Sequence, residues 1–188
     1  MHWLLLIYSV PAEPSRKRAA IWREVKRIGV VYLRDGVCAL PERAETVAAV
    51  EAIAAKVWEF EGTATIVRGA RLDERSGEKV IEQSRAARAA EYGEIIGDAQ
   101  GFLDHVRRET EHRAFTFAEL EELEGDLQKL KRWSGQVRAR DYFESAESGA
   151  VDAALARCDE ALAVFLDAAY INTTERRHEM DHAPQSPH

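Results

Sequence analysis

Two short apolar runs, residues 30–33 and 37–40, flank Arg34-Asp35-Gly36, and Pro41 stops the second run. Asp-Gly tolerates the positive φ angles that a tight turn between antiparallel strands requires, so this stretch is constrained to a β-hairpin. A lone hairpin is marginal in water and needs further strands or a covering helix. The surrounding sequence offers both. Residues 4–8 are continuously apolar, as in a central strand covered on both faces. Pro14-Ser15 opens a helix on which Ile21, Val25 and Ile28 share one side, and Gly29 ends it. Residues 42–60 form a second helix with Val47, Val50, Ile53, Ala54, Val57 and Trp58 as its core stripe. Gly62 breaks it, and residues 63–67 make a last strand. The order strand, helix, strand, strand, helix, strand predicts an α+β fold. It begins with a ferredoxin-like βαββαβ domain over residues 1–70, helices on one face of an antiparallel sheet. The other sheet face is left for a partner subunit or for the rest of the chain, and a homodimer is expected on that ground.

Beyond residue 70 the pattern is helical. Residues 71–79 are highly charged, contain Gly77 and read as a linker. Ile95, Ala99, Phe102, Leu103 and Val106 form one apolar stripe. Thr116 and Glu119 have the spacing of a capping box ahead of Leu120, Leu123, Leu127, Leu130 and Val137. Ser148 opens a further helix carrying Val151, Leu155, Cys158, Leu162 and Phe165. These stripes predict an all-helical hairpin or three-helix bundle over residues 71–170. Periodicity fades after that, and residues 171–188 read as a disordered tail.

The chain carries a formal net charge of −7, which argues against indiscriminate nucleic-acid binding over its whole surface. The charge is unevenly placed. Residues 1–40 hold seven lysines and arginines against three acids, leaving +4 there and −11 for the remainder. A local basic patch on an acidic body suits a protein that meets a polyanion with one face. No stretch reads as a signal peptide or approaches the roughly 20 apolar residues of a membrane helix, so a cytoplasmic protein without membrane contact is expected. Cys38 and Cys158 lie far apart in apolar patterns and are expected to be reduced, buried thiols.

The patch is the leading candidate site. Arg16, Arg23 and Arg27 fall opposite the apolar stripe of their helix, with Arg18, Lys26 and Lys17 around them and Arg34 in the hairpin turn. Guanidinium forks match phosphate oxygens bidentately, and such contacts position a protein on DNA without reading its sequence. Arg138 and Arg140, before Asp141-Tyr142-Phe143, form a second candidate cluster, read either as an anion pocket against the first domain or as a local Arg140–Asp141 pair. Other chemistry finds little support. A ferredoxin-fold nuclease needs a carboxylate at the end of its first strand, where this chain has Tyr8-Ser9-Val10. His178 and His182 have metal-ligand spacing but sit in the aperiodic tail. His105 and His112 are isolated in the sequence, and Glu119, Glu121, Glu122 and Glu124 read as solvated helix positions. With no phosphate-binding glycine loop, catalytic triad or CxxC motif, a non-enzyme without metal or cofactor is expected.

A wider pattern carries a likeness. Trp3-Leu4-Leu5-Leu6-Ile7-Tyr8, Pro14-Ser15-Arg16, Trp22-Arg23, Gly29, Asp35-Gly36-Val37 and Leu40-Pro41 occur in the order and spacing of the ChrB chromate-resistance proteins. Phe115-Thr116-Phe117-Ala118-Glu119-Leu120, Arg138-Ala139-Arg140-Asp141-Tyr142-Phe143 and Ala154-Leu155-Ala156-Arg157-Cys158 resemble the same family, so the likeness covers roughly residues 2–170. The first seventy residues also resemble, at the level of fold, the middle domain of PaaX-type repressors. The resemblance implies a chromate-responsive regulator or accessory factor of a chromate-efflux operon. Operator DNA would be its partner, and Arg16, Arg18, Arg23, Lys26, Arg27 and Arg34 would be the DNA or oxyanion contacts. Longer members carry an additional C-terminal chromate-resistance domain that is not expected within these residues, so chromate would be met directly or through a separately encoded protein carrying that domain. The alternatives are a non-DNA interaction module of a resistance system and, from the residues alone, a chromate reductase using Cys38, which a buried strand thiol suits poorly.

Overall fold

The structure, a computed structural model, describes the backbone of residues 1–181 and the side chains of residues 1–172. Among the described residues nine elements follow one another: β1 (Trp3–Ser9), α1 (Ser15–Arg27), β2 (Val31–Arg34), β3 (Val37–Pro41), α2 (Ala44–Glu59), β4 (Thr63–Ala70), then three long helices, α3 (Glu74–Glu111), α4 (Phe117–Arg138) and α5 (Ser148–Asp181). The fold is α+β. Its four strands form one antiparallel sheet in the order β2-β3-β1-β4, with Leu6 opposite Cys38 on one side and Ile66 on the other.

The chain divides into two compact units. The first comprises residues 1–89 together with 138–145, and the second residues 90–137 and those from 146 onward. The boundary expected near residue 70 therefore falls within α3 instead, and a short segment after α4 returns to the first unit. The physical reason lies in residues 71–79. Asp73 caps α3, its carboxylate accepting from the Ser76 amide at 3.0 Å, and a methyl group on Gly77 would meet the Trp3 ring at 4.0 Å, so the charged stretch is helix and not linker.

In the first unit the alternation of the strands divides the core in two. Leu4, Leu6, Cys38 and Leu40 face Ile21 and Val25 of α1 and Val50, Ile53 and Val57 of α2. Full burial of each large aliphatic is worth about 1.5–3 kcal/mol, so this layer holds both helices to the sheet. On the opposite face Trp3, Val31 and Ala39 pack against Val80 and Phe143. The sheet face on which the homodimer expectation rested is thus covered in part by the chain itself, while Ile7 and Leu33 remain exposed. Thr46, fully buried in the first turn of α2, donates to the Pro41 carbonyl at 2.7 Å and accepts from the Arg43 amide at 3.0 Å.

The second unit is helical. Ala99 and Phe102 of α3 meet Leu123, Leu127 and Leu130 of α4 and Ala154, Cys158 and Phe165 of α5, which are the apolar stripes read from the sequence. α5 runs to Asp181, well past residue 170 where a tail was expected to begin; residues 182–188 lie outside the described residues. No helix among the described residues is long and apolar enough to cross a membrane.

Candidate functional site

α1 is positioned by its apolar side. With Ile21 and Val25 fully buried against the sheet, the residues half a turn away must face water. Arg16, Arg23 and Arg27, spaced i, i+7 and i+11, fall within an arc of about 40° at 100° per residue. All three are exposed. Arg18 is exposed too, but shares the flank of Trp22 and Val25 and so stands apart from this row. Lys26 lies over the exposed Trp22 ring, its Nζ 4.4 Å from the centroid.

Internal neutralisation of the row is slight. Glu24, the one acid in α1, is held by Lys56 of α2 and lies 3.5 Å from Arg27. Lys17 reaches Glu61 at 3.4 Å. Among the described residues no carboxylate lies within ion-pair distance of Arg16, Arg18, Arg23 or Arg34. Lys56 adds a cation that the sequence reading missed. With Arg23, Arg27 and Ala20 it lines an open cleft of about 240 Å³ around Glu24. The i, i+3 and i, i+4 spacing that finds partners within one helix could not have revealed it, because it arrives from α2.

The other sequence-derived candidates are not gathered with the row. Arg34 is exposed at the β2–β3 turn. Arg138 ends α4, where a cation suits the helix dipole. Arg140 is half-buried against the end of α1: a methyl group on Gly29 would stand 2.9 Å from Arg140 Cβ and from Arg88 Nη1. Arg140 thus packs, and the Asp141 carboxylate accepts from the Ser145 amide at 2.9 and 3.1 Å. Tyr142 of this segment donates its hydroxyl to the Ile28 carbonyl at 2.9 Å, and Arg43 donates to the Tyr142 carbonyl at the same distance. Arg140 and Tyr142 of this motif therefore hold the end of α1.

The thiols are poorly placed for chemistry. Cys38 is 1 % exposed, and burial pushes its pKa up to about 12. Tyr32 and Tyr8 lie beside it with their hydroxyls hydrogen-bonded at 2.9 Å, and burial raises both of them as well. Cys158 is buried and also raised, its thiol directed at the Ala99 carbonyl. The metal-spaced pair His178 and His182 falls outside the residues whose side chains are described. His105 and Glu119, which read as an isolated histidine and a solvated acid, are brought together instead, 3.0 Å apart between α3 and α4 of the second unit.

No solved structure matches the chain. Protein ChrB of Cupriavidus metallidurans is 46 % identical over 39 residues, a stretch that is 21 % of this chain and 12 % of that protein. The family model described as "Protein ChrB, N-terminal" matches residues 18–176, from α1 through most of α5. That span takes in Arg23 and Arg27 of the row but not Arg16, together with the Tyr142 anchor, α3, α4 and most of α5, and the chain belongs to the ChrB N-terminal family.

Proposed function

We propose that this chain serves chromate resistance as a regulatory or accessory factor that grips duplex DNA through the exposed row Arg16, Arg23 and Arg27. The observation that carries the reading is that row's exposure and its near lack of carboxylate partners, on a helix whose other side is fully buried. Lys26, Arg34 and Lys56 would add sequence-independent phosphate contacts around it. A ferredoxin-like first unit is part of the proposal, since β3 lies between β1 and β2 and both helices pack on one sheet face. The chain does no chemistry of its own in this reading, in keeping with thiols that stay protonated near neutral pH. Chromate, or a separately encoded chromate-resistance domain, would act by shifting the DNA affinity.

Fluorescence anisotropy with duplex DNA from upstream of the neighbouring genes, titrated across salt concentrations, tests this. The slope of log K against log salt should fall by roughly two to three in the Arg16→Ala/Arg23→Ala/Arg27→Ala variant, at about 0.9 for each phosphate no longer neutralised. An unchanged slope, or wild-type affinity that ignores salt, removes the row from the account and favours a protein-interaction module.

A further inference from the structure

His105 stands near the end of α3, with Glu109 one turn further on and Glu119 in the first turn of α4. Its Nε2 is 3.0 Å from Glu119 Oε1 and 3.7 Å from Glu109 Oε1. These side chains are 22 %, 19 % and 17 % exposed in the order His105, Glu119, Glu109, a poor environment for two carboxylates and one imidazole. The three ligand atoms lie within 4.8 Å of one another, and His105 forms a second such triad with Glu122 and Asp126. Two atoms each about 2.1 Å from a common ion, at tetrahedral to octahedral angles, stand roughly 3.0–3.4 Å apart. The separations of 3.0 and 3.7 Å bracket that range.

A plain ion pair is the competing description, and one observation weighs against it. Glu119 Oε1 is buried and accepts no hydrogen bond, so the imidazole N–H is not directed along the 3.0 Å line. The carboxylate has no local backbone partner in the first turn either. Thr116 caps α4 by accepting from the Glu119 amide at 3.2 Å, but the return bond of a capping box is not made, because the Thr116 amide donates to the Ala114 carbonyl. Arg108 lies 3.4 Å from Glu109, and Lys129 lies 2.7 Å from Asp126. Both cations are largely exposed, and such pairs are weak enough for an ion to displace. His105, with Asp126 and Lys129, also lines an open cleft of about 500 Å³ beside Gly97, Gly101, Phe102 and Trp133, so the imidazole is reached from solvent on the Asp126 side.

We propose that His105, Glu109 and Glu119 bind one divalent first-row transition cation, with Glu122 and Asp126 placed to extend its shell. One imidazole with carboxylates and no thiolate suits Mn²⁺, Fe²⁺ or Zn²⁺. The ion ties the last turns of α3 to the first turn of α4, independently of any DNA contact made by the first unit.

The full-length chain, stripped with chelator, is titrated with MnCl₂ followed by the spin-resonance signal of the free ion, and with ZnCl₂ by calorimetry. One ion of at least one of the two metals should bind per chain. His105→Gln and Glu119→Gln should each weaken it tenfold or more, while His178→Ala/His182→Ala should leave it unchanged. In the wild type, substoichiometric Mn²⁺ should broaden the His105 ring resonances before those of His178 and His182, a readout that stands if a variant fails to fold. Binding of neither ion, binding that survives both substitutions, or loss confined to the His178/His182 variant overturns the proposal.

Discussion

Replacing Gly29 by alanine should destabilise the first unit by about 2–4 kcal/mol. Gly29 follows α1 with φ at +71°, a conformation that costs an alanine about 1–2 kcal/mol. The new methyl would stand 2.9 Å from both Arg140 Cβ and Arg88 Nη1 and 3.2 Å from the Arg140 carbonyl. Overpacking of that kind adds about 1–3 kcal/mol. Lost freedom of the unfolded chain returns about 0.4–1 kcal/mol. Gly69 is the matched control: its φ is +65°, and a methyl there meets nothing within 4 Å, so Gly69→Ala should cost about 1 kcal/mol from backbone strain alone. Urea denaturation followed by tryptophan fluorescence compares the two. In a Trp133→Phe background the emission comes from Trp3, Trp22 and Trp58, all in the first unit. The difference between the variants isolates the packing against the Arg140 segment. Equal destabilisation by the two alanines, or a milder effect at Gly29, would refute the claim that this segment is packed onto the end of α1.

Thr46→Val keeps shape but removes the bonds to the Pro41 carbonyl and the Arg43 amide; it should cost about 1–3 kcal/mol by urea denaturation, because the bond lost to Pro41 is buried. Cys38 and Cys158 should react with a thiol reagent at pH 8 only as fast as the protein opens, and at full speed in denaturant, because burial holds both thiols protonated above that pH. Glu42 accepts from the Gly69 amide at 2.6 Å and from Arg68 at 3.1 Å, and these bonds hold its carboxyl below the usual value of 4.5. A depressed pKa stabilises the fold above the unfolded value and loses that contribution as pH falls through the folded one. The melting temperature of Glu42→Gln should therefore lie below wild type at pH 7 and converge with it below pH 4.5.

Much of the first unit was legible because local and long-range signals agree there. Asp35-Gly36 permits the turn, the apolar strands on either side demand burial, and Ile21 and Val25 recur at the period that puts α1 on the sheet. The arginine row is legible for the same reason: once one side of a helix is committed to the core, the opposite side is committed to water. What failed was punctuation. Gly77 and a run of charges read as a linker, yet a glycine costs a helix only about 1 kcal/mol, and a cap from Asp73 with packing of Val80 against Trp3 outweighs that. The role of residues 138–145 was hidden for a different reason. Whether Arg140 grips an anion or packs on Gly29 depends on a neighbour more than a hundred residues away in sequence, for which no periodicity exists.

Glu119 shows how a correct local rule can conceal a site. Its spacing from Thr116 satisfies the capping box, and half of that box is made, since Thr116 accepts from the Glu119 amide. The rule assigns the glutamate a local partner and so gives no reason to look further. In the fold the carboxylate turns instead toward His105, fourteen residues upstream on another helix, and becomes largely buried. With the Thr116 amide already donating to Ala114, the carboxylate is left a crowded, poorly aligned neighbour and gains from a further partner. An ion shared with His105 and Glu109 supplies that gain, because one cation satisfies both carboxylates and the imidazole lone pair at once.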